Sequence, residues 1–452
     1  MISLIETTME EYRDRLATKA VLLERGAIER SVPVLQHELP SGTWLLVSDE
    51  HTHAAAGRRL TEALNAAGQS WTLWQPELPK GTAGAVGGEP VCNEDSVAAC
   101  RDAIGERGAA AVIGIGAGTI NDIAKFGAHK AGVPSACVAS APSMNGYTSA
   151  IAAVLTDGVK TTQPCTPTRV VVADVDVLSQ APSRLIQSGI GDLASKPVSN
   201  ADWIISARLT GSTHSEDAAG IIEASSRLLE GVAPGLPSRD PDAVERLTAS
   251  LILSGFAMAV AGNSAPASGG EHLVSHYLDM VAIAAGEEHD LHGRQVGVGT
   301  LTAAFLYERL LELSPEDIDP DARAAALRPW DEHARLIEQR FGSLAATVLP
   351  HAEAGYPSRD ALRSRVSLLR QEWPSLTDKL SRTLRPSADI QSELAAAGAP
   401  VRFKELGVSR ERAYRSVCHS RDIRSRYTIL DVVWELGYLN QWAEEAVACF
   451  YE

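Results

Sequence analysis

Three short clusters carry the residue types that do chemistry. Gly189-Ile190-Gly191-Asp192 puts a carboxylate directly after two glycines, with Lys196 four residues on. This spacing predicts a helix start in a cleft. Ser268-Gly269-Gly270-Glu271-His272 puts an imidazole after a glycine pair, and His276 follows four residues later. His289-Asp290-Leu291-His292-Gly293 runs into Gln295-Val296-Gly297. One carboxylate and two imidazoles from different helices can hold a divalent metal and leave positions open for water or substrate. That is a catalytic arrangement and not a closed structural one. His272 and His276 share one helical face, so either is available as a ligand.

A fourth cluster is suited to phosphate. The apolar run Ala109 to Ile115 reads as a buried strand and leads into alternating glycines, Gly114, Gly116 and Gly118. A helical segment follows from Thr119, with Asp122 and Lys125 in its first turns. Glycines between strand and helix let the backbone approach a phosphate, and the helix N-terminus offers free N–H groups to it. A second turn, Ala139 to Tyr147, follows the next short strand. Two such turns suggest a nucleotide and a substrate meeting at the carboxyl ends of parallel strands. Asp49, at the end of the first strand, stands where a ribose hydroxyl partner is expected; its plainer reading is a helix cap. His51, His53 and His214 lie in polar turns and are set aside. The arginine-rich stretch from Arg410 to Arg426 reads as a solvated or interdomain helix face.

The elements that must position these residues fall into two parts. Strands are predicted at Thr43–Ser48, Ser70–Trp74, Ala109–Ile115, Pro134–Ser140 and Arg169–Ala173, separated by helices. The Gly- and Pro-rich stretch Pro76–Pro90 is predicted to be a loop. Such alternation favours a doubly wound, mainly parallel sheet. Beyond about Pro182 helical patterns take over, including Ala201–Arg208, Asp242–Ala261, Glu271–Ala285 and Gly297–Leu313. The expected organisation is an α/β domain over residues 1–182 and a helical domain over 183–452, with the site in the cleft between them.

A chain of 452 residues can build both cores. The net charge of −16 argues against nucleic acid or an anionic membrane as partner. Six scattered cysteines, with no CxxC pair, read as reduced thiols. The first residues carry acids and no apolar signal segment. The most apolar stretch, Leu251 to Ala261, is too short to span a bilayer. A soluble, cytoplasmic protein is the expectation, with a homo-oligomer, by default a dimer, as its assembly.

The ordered motifs GAGTINDIAK, APSMNGY, GIGDLASK, ADW, PASGGEHLVSH and HGRQVGVGT, with RSRYTILDVVWELG in the tail, resemble the sn-glycerol-1-phosphate dehydrogenase family. This is a branch of the iron-containing alcohol dehydrogenase, glycerol dehydrogenase and dehydroquinate synthase superfamily. The likeness covers nearly the whole chain. It implies a Rossmann-like dinucleotide-binding domain followed by an all-α domain, the dehydroquinate synthase-like architecture. It implies NAD or NADP and one divalent metal, zinc before nickel or iron, held by Asp192, His272 and His292, with His276 in support at the substrate. Gly116, Gly118, Thr119 and Asp122 would hold the pyrophosphate and nicotinamide side, and Asp49 the adenosine ribose. Ser140, Ser143 and Tyr147 would line the nicotinamide end, and Lys160 would bind an anionic group. The implied activity is reversible NAD(P)-linked reduction of dihydroxyacetone phosphate to sn-glycerol 1-phosphate.

Two departures fall near the substrate. The family usually reads SMDGY, where this chain has Asn145, and SRPASG, where it has Ala265. Asparagine hydrogen-bonds but cannot take a proton, and alanine removes a cation and its fork of donors. The expectation is retained chemistry on the same or a related polyol phosphate or ketone. A carbocycle-forming lyase like dehydroquinate synthase is the alternative, and it would return its NAD unchanged. A non-catalytic homologue is the second alternative.

Overall fold

The computed structural model describes residues 2–77, 90–156 and 159–452. Most of the predicted Pro76–Pro90 loop lies outside the described residues. A six-stranded, fully parallel sheet has the order β1-β8-β5-β4-β2-β3. Its strands are β1 (Ala20–Glu24), β2 (Trp44–Val47), β3 (Trp71–Trp74), β4 (Ala111–Gly116), β5 (Ser135–Ala139) and β8 (Val170–Asp174). Between β5 and β8 the chain makes a separate antiparallel hairpin, β6 (Ile151–Thr156) and β7 (Val159–Pro164).

The four inner strands β8, β5, β4 and β2 are buried on both faces, which is why they are short apolar runs and not alternating ones, while the edge strands β1 and β3 are half-buried. Trp44, Leu46, Ile113, Ile115, Val138 and Val172 pack into one core, and Leu45, Val47 and Val112 into another on the opposite face. Each such side chain contributes about 1.5–3 kcal/mol by leaving water. All five expected strands are present. Two features were not expected: β1, and the hairpin, whose residues alternate weakly and carry Lys160 and three threonines.

After Asp174 the described chain has no further strand. The helices that matter for the site are α1 (Gly118–Ala131), α2 (Ser183–Ala194), α3 (Lys196–Thr210), α4 (Pro241–Ala261), α5 (Gly270–Ala285), α6 (His292–Leu311), α7 (Arg410–His419) and α8 (Ile429–Leu436). Of these, α4 corrects the expectation of a short apolar segment. It has 21 residues, enough to cross a membrane by length and composition, but 83% of its apolar window is buried inside the protein. It is a core helix, lined by Leu247, Leu251, Ile252 and Phe256.

Candidate active site

The residues of the three chemical clusters converge where α2, α5 and α6 cross. Asp192 lies near the C-terminal end of α2, not at a helix start as its spacing predicts. Gly189 and Gly191 are inside the helix because neighbours occupy the space a side chain needs. A Cβ on Gly189 would collide with Pro142 O, and one on Gly191 with Gly293 O. Gly293 in turn meets Ser188 O, so the two backbones touch at glycines on both sides. His292 opens α6, five residues ahead of the predicted start.

Asp192 Oδ1 lies 3.6 Å from His272 Nε2 and 3.2 Å from Lys196 Nζ. The ring centroids of His272 and His292 are 5.1 Å apart, and those of His276 and His292 are 5.3 Å apart. Asn145 donates to Asp192 twice, from its backbone N–H at 3.2 Å and from Nδ2 at 3.3 Å. Burial opposes ionisation of Asp192, but Lys196, with His272 and His292, outweighs it and holds the carboxyl well below its usual range. Burial also pushes His292 down to about 3, helped by Lys160 and His272. His276 is pushed down by burial first and then by the charges of Arg424, His292 and Lys160.

The hydrogen bonds behind two of the rings fix which nitrogen carries the proton. His272 Nδ1 is 2.8 Å from Glu271 Oε1, a carboxylate oxygen that also accepts from Gly269 N–H. His292 Nδ1 is 3.0 Å from Ser275 Oγ, and Ser275 gives its single proton to Gln295 Oε1 at 2.8 Å. Both partners accept, so each Nδ1 carries a proton, and in the neutral ring Nε2 is the nitrogen with the lone pair. That is the preparation a metal-binding imidazole needs. Sequence reasoning found the histidines but not Glu271, Ser275 and Gln295 in these roles. The signal was their adjacency to the histidines on the same helices.

A second donor set overlaps the first. One ligand atom each from His276, Asp279 and His292 lie within 4.8 Å of one another. Asp279 lies within ion-pair distance of Lys160 Nζ at 3.1 Å and His289 Nδ1 at 3.2 Å, and its buried Oδ1 has no hydrogen-bond partner among the described residues. Burial opposes its ionisation, yet Lys160 and His289 hold it well below the carboxylate range. Lys160, expected to meet an anionic group, therefore spends its charge on Asp279. His276 Nδ1 is likewise buried with no partner among the described residues.

On the sheet side, the phosphate cluster divides by function. Gly114 and Gly116 lie under α1, where a Cβ would press on Ala124 and Ile120. Gly118 has φ +30° and open space around its Cα. No side chain caps α1, so its first N–H groups are available to an anion. Gly116 ends β4, Asp49 follows the adjacent β2, and Ser140 follows β5, so these residues share the carboxyl edge of the sheet. Thr119 is exposed there and Ser143 is buried. Asp122 Oδ2 accepts from Ala153 N–H and so ties α1 to the hairpin. Asp49 Oδ1 accepts from Thr52 N–H at 2.7 Å, capping the short helix Glu50–Thr52. Tyr147 is fully buried and its hydroxyl donates to Ala141 O at 2.5 Å, so it braces the second turn from within.

Between the hairpin, α3, α5 and the tail lies a cavity of about 820 Å³. Lys160, Thr162, Ser268, His276, Arg424 and Arg426 contribute to its wall. The stretch read as one solvated arginine face is thus two things. Arg410 and Arg415, on α7, are exposed, while Arg421 is buried and Arg424 and Arg426 turn into the cavity.

Residues 22–182 match the family model described as iron-containing alcohol dehydrogenase. The chain is 28% identical over 427 residues to glycerol-1-phosphate dehydrogenase [NAD(P)+] of Bacillus licheniformis, covering 94% of this chain and 90% of that one. It is 30% identical over 392 residues to the enzyme of the same name from Bacillus velezensis, covering 86% and 85%. Among solved structures it is similar to glycerol dehydrogenase from Schizosaccharomyces pombe, with a TM-score of 0.59 at 17% identity, covering 96% and 91%. It is also similar to an iron-containing alcohol dehydrogenase from Thermotoga maritima, with a TM-score of 0.60 at 11% identity, covering 96% and 98%. These two likenesses concern the fold. With a parallel sheet, a helical remainder and these relatives, the chain belongs to the glycerol-1-phosphate dehydrogenase family.

Proposed function

We propose that this protein is a metal-dependent NAD(P)-linked oxidoreductase that interconverts dihydroxyacetone phosphate and sn-glycerol 1-phosphate, or a close polyol-phosphate analogue. The observation that carries this reading is the convergence of Asp192, His272 and His292, with an acceptor behind each Nδ1 that leaves Nε2 as the nitrogen to face a metal. Those three residues would hold the metal. They are preferred to the set with Asp279 because His272 has an acceptor behind its Nδ1 to hold the ring, whereas His276 has none among the described residues. Neutral imidazoles and one carboxylate with open positions suit zinc. When bound, the metal supplies Lewis acidity and the nicotinamide supplies the hydride.

The chain's own residues supply alignment and charge. Asn145 fixes both Asp192 oxygens and, having no proton to take up, acts as a donor and not as a base. Lys196, buried beside Asp192, balances its charge. His276 offers a neutral imidazole with an unpartnered Nδ1 to a substrate hydroxyl. Gly116, Gly118 and Thr119 would take the pyrophosphate at the uncapped end of α1, with Ser140 and Ser143 nearby. The charge on Asp49 favours the free ribose of NAD over the 2′-phosphate of NADP.

The test is oxidation of NADH, and separately NADPH, by zinc-loaded protein with dihydroxyacetone phosphate. Turnover abolished by chelation and by Asp192→Asn supports the proposal. Zinc and NAD bound without turnover of any phosphorylated ketone would overturn it.

A further inference from the structure

Arginines in this protein are mostly spoken for. Arg421 is paired with Asp422 and Asp431, Arg294 with Asp290, and Arg365 with Glu435. Arg424 and Arg426 are the exceptions in the cavity wall. Arg424 donates to Thr162 Oγ1 at 3.0 Å. Arg426 donates to Ser264 Oγ at 2.8 Å and to Ser268 O at 2.5 Å. Among the described residues neither forms an ion pair with a carboxylate. Both are only partly exposed. Two guanidinium groups held next to one another, away from bulk water and without a counter-ion, make a costly arrangement unless an anion completes it.

The surroundings say which anion. The guanidinium fork matches phosphate oxygens, and two such groups match a dianion better than a single carboxylate. Thr162, on the hairpin, adds a hydroxyl to the same wall. Arg424 acts on His276, which it helps to keep neutral, so its charge reaches the edge of the proposed metal site. Arg426 braces the 264–268 turn that carries Ala265, so this wall is cationic although position 265 has no charge. Glu271 and Asp202 act on Arg426 from beyond ion-pairing distance, which leaves Arg424 the freer cation.

We propose that Arg424 and Arg426, carried in by the C-terminal tail, form the subsite that holds the phosphate of a phosphomonoester substrate, with Arg424 as its main contact. This rests on the reading of the chain as a polyol-phosphate dehydrogenase. The tail then does more than close the fold: it brings substrate charge recognition across to the hairpin and α5.

The experiment uses the full-length, zinc-loaded protein with three variants, Arg424→Gln, Arg424→Lys and Arg426→Lys. Two quantities are measured. One is the ratio of kcat/KM for dihydroxyacetone phosphate to that for dihydroxyacetone. The other is the affinity for inorganic phosphate by calorimetry. The expected result is a ratio lowered roughly 30-fold or more by Arg424→Gln, as for loss of one partner of a desolvated charge pair. Phosphate affinity should weaken with it, and Arg424→Lys should recover part of both. A ratio and a phosphate affinity unchanged in Arg424→Gln would overturn the subsite while leaving the dehydrogenase reading in place. Phosphate bound by wild type and lost in Arg424→Gln, with no turnover of dihydroxyacetone phosphate by either, would keep the subsite and reject the proposed reaction. If Arg424→Gln fails to fold, Arg424→Lys decides: a partial loss of both quantities supports the subsite, and a ratio and a phosphate affinity both equal to wild type would overturn it, because a point charge does not replace the guanidinium fork.

Discussion

Replacing Asn145 by aspartate tests the electrostatics of the site with one atom pair. Asn145 Nδ2 lies 3.3 Å from Asp192 Oδ1, so Asn145→Asp puts two carboxylates at that separation. At an effective dielectric of about 20, their repulsion is about 5 kcal/mol. Protonating one of them relieves it, and holding a proton on an ordinary aspartate at pH 7 costs about 4 kcal/mol, which caps the penalty. For 452 residues the unfolding entropy near the midpoint is roughly 0.9 kcal/mol per kelvin, so the metal-free variant should melt about 4 °C lower. Asn145→Ala loses only the side-chain donor and should fall by about 1–2 °C, since the backbone bond to Asp192 remains. A divalent ion at Asp192, His272 and His292 turns the added carboxylate from a liability into an attraction. Zinc should therefore raise the melting temperature of Asn145→Asp more than that of wild type, and a chelator competition should show it binding roughly 10- to 1,000-fold more tightly. The assay is thermal unfolding with and without zinc for all three proteins. Metal-free Asn145→Asp melting within about 1 °C of wild type, or gaining no more from zinc, would refute the reasoning.

Other expectations follow from the same geometry. Glu271→Gln weakens the acceptor at His272 Nδ1 and should reduce zinc affinity about 10- to 100-fold with the fold intact, as read by chelator competition and circular dichroism. Gly191→Ala drives a Cβ into Gly293 O at the crossing of α2 and α6. It should cost about 3 kcal/mol or more in urea unfolding, and a midpoint equal to wild type would contradict the crossing. Asp49→Asn keeps a good helix cap while removing the charge. It should leave the melting temperature unchanged and raise the NADPH-to-NADH ratio of kcat/KM by roughly 10-fold. His419 is held down to about 4 by burial and by Arg340. Between about pH 6.5 and 4 the unfolded chain binds a proton that the folded chain refuses, so stability falls as pH falls through that window. His419→Gln should lessen that slope in pH-dependent unfolding.

How much of this was legible depends on whether a signal is local. The β2, β4, β5 and β8 strands were readable because a parallel strand covered on both faces must be an unbroken apolar run, and WLLV, AVIGIG, SACVA and VVVAD are such runs. The hairpin was not, because VKTTQP is polar and its partner strand is half-exposed. Asp192 was placed at a helix start because glycine normally interrupts helices. Gly189 and Gly191 stay helical because they serve contacts with Pro142 and Gly293, residues far away in sequence. The helix α4 was legible from Asp242 to Ala261, but its apolar part was read as Leu251 to Ala261 alone because Arg246, Thr248 and Ser250 break up the pattern of its first half. Burial of Thr248 and Ser250 comes from hydrogen bonds to Val244 O, Ser225 O and Arg246 O that no pattern reveals.

The substrate side marks where sequence reading stops. Removing the arginine expected at 265 looks like the loss of a phosphate ligand only if charge is counted along the chain. In space, Arg426 reaches Ser264 and Ser268 from more than 150 residues away and lies over that same turn. Lys160, the cation that did look free, is spent on Asp279. Arginine density alone could not separate Arg410 and Arg415, which face solvent, from Arg424 and Arg426, because helix α7 ends at His419 and the chain changes direction between them. The informative quantity is not the number of cations near a site but the number left without a carboxylate. That number depends on which acids the fold brings alongside, so it becomes visible only once every ion pair in the neighbourhood has been assigned.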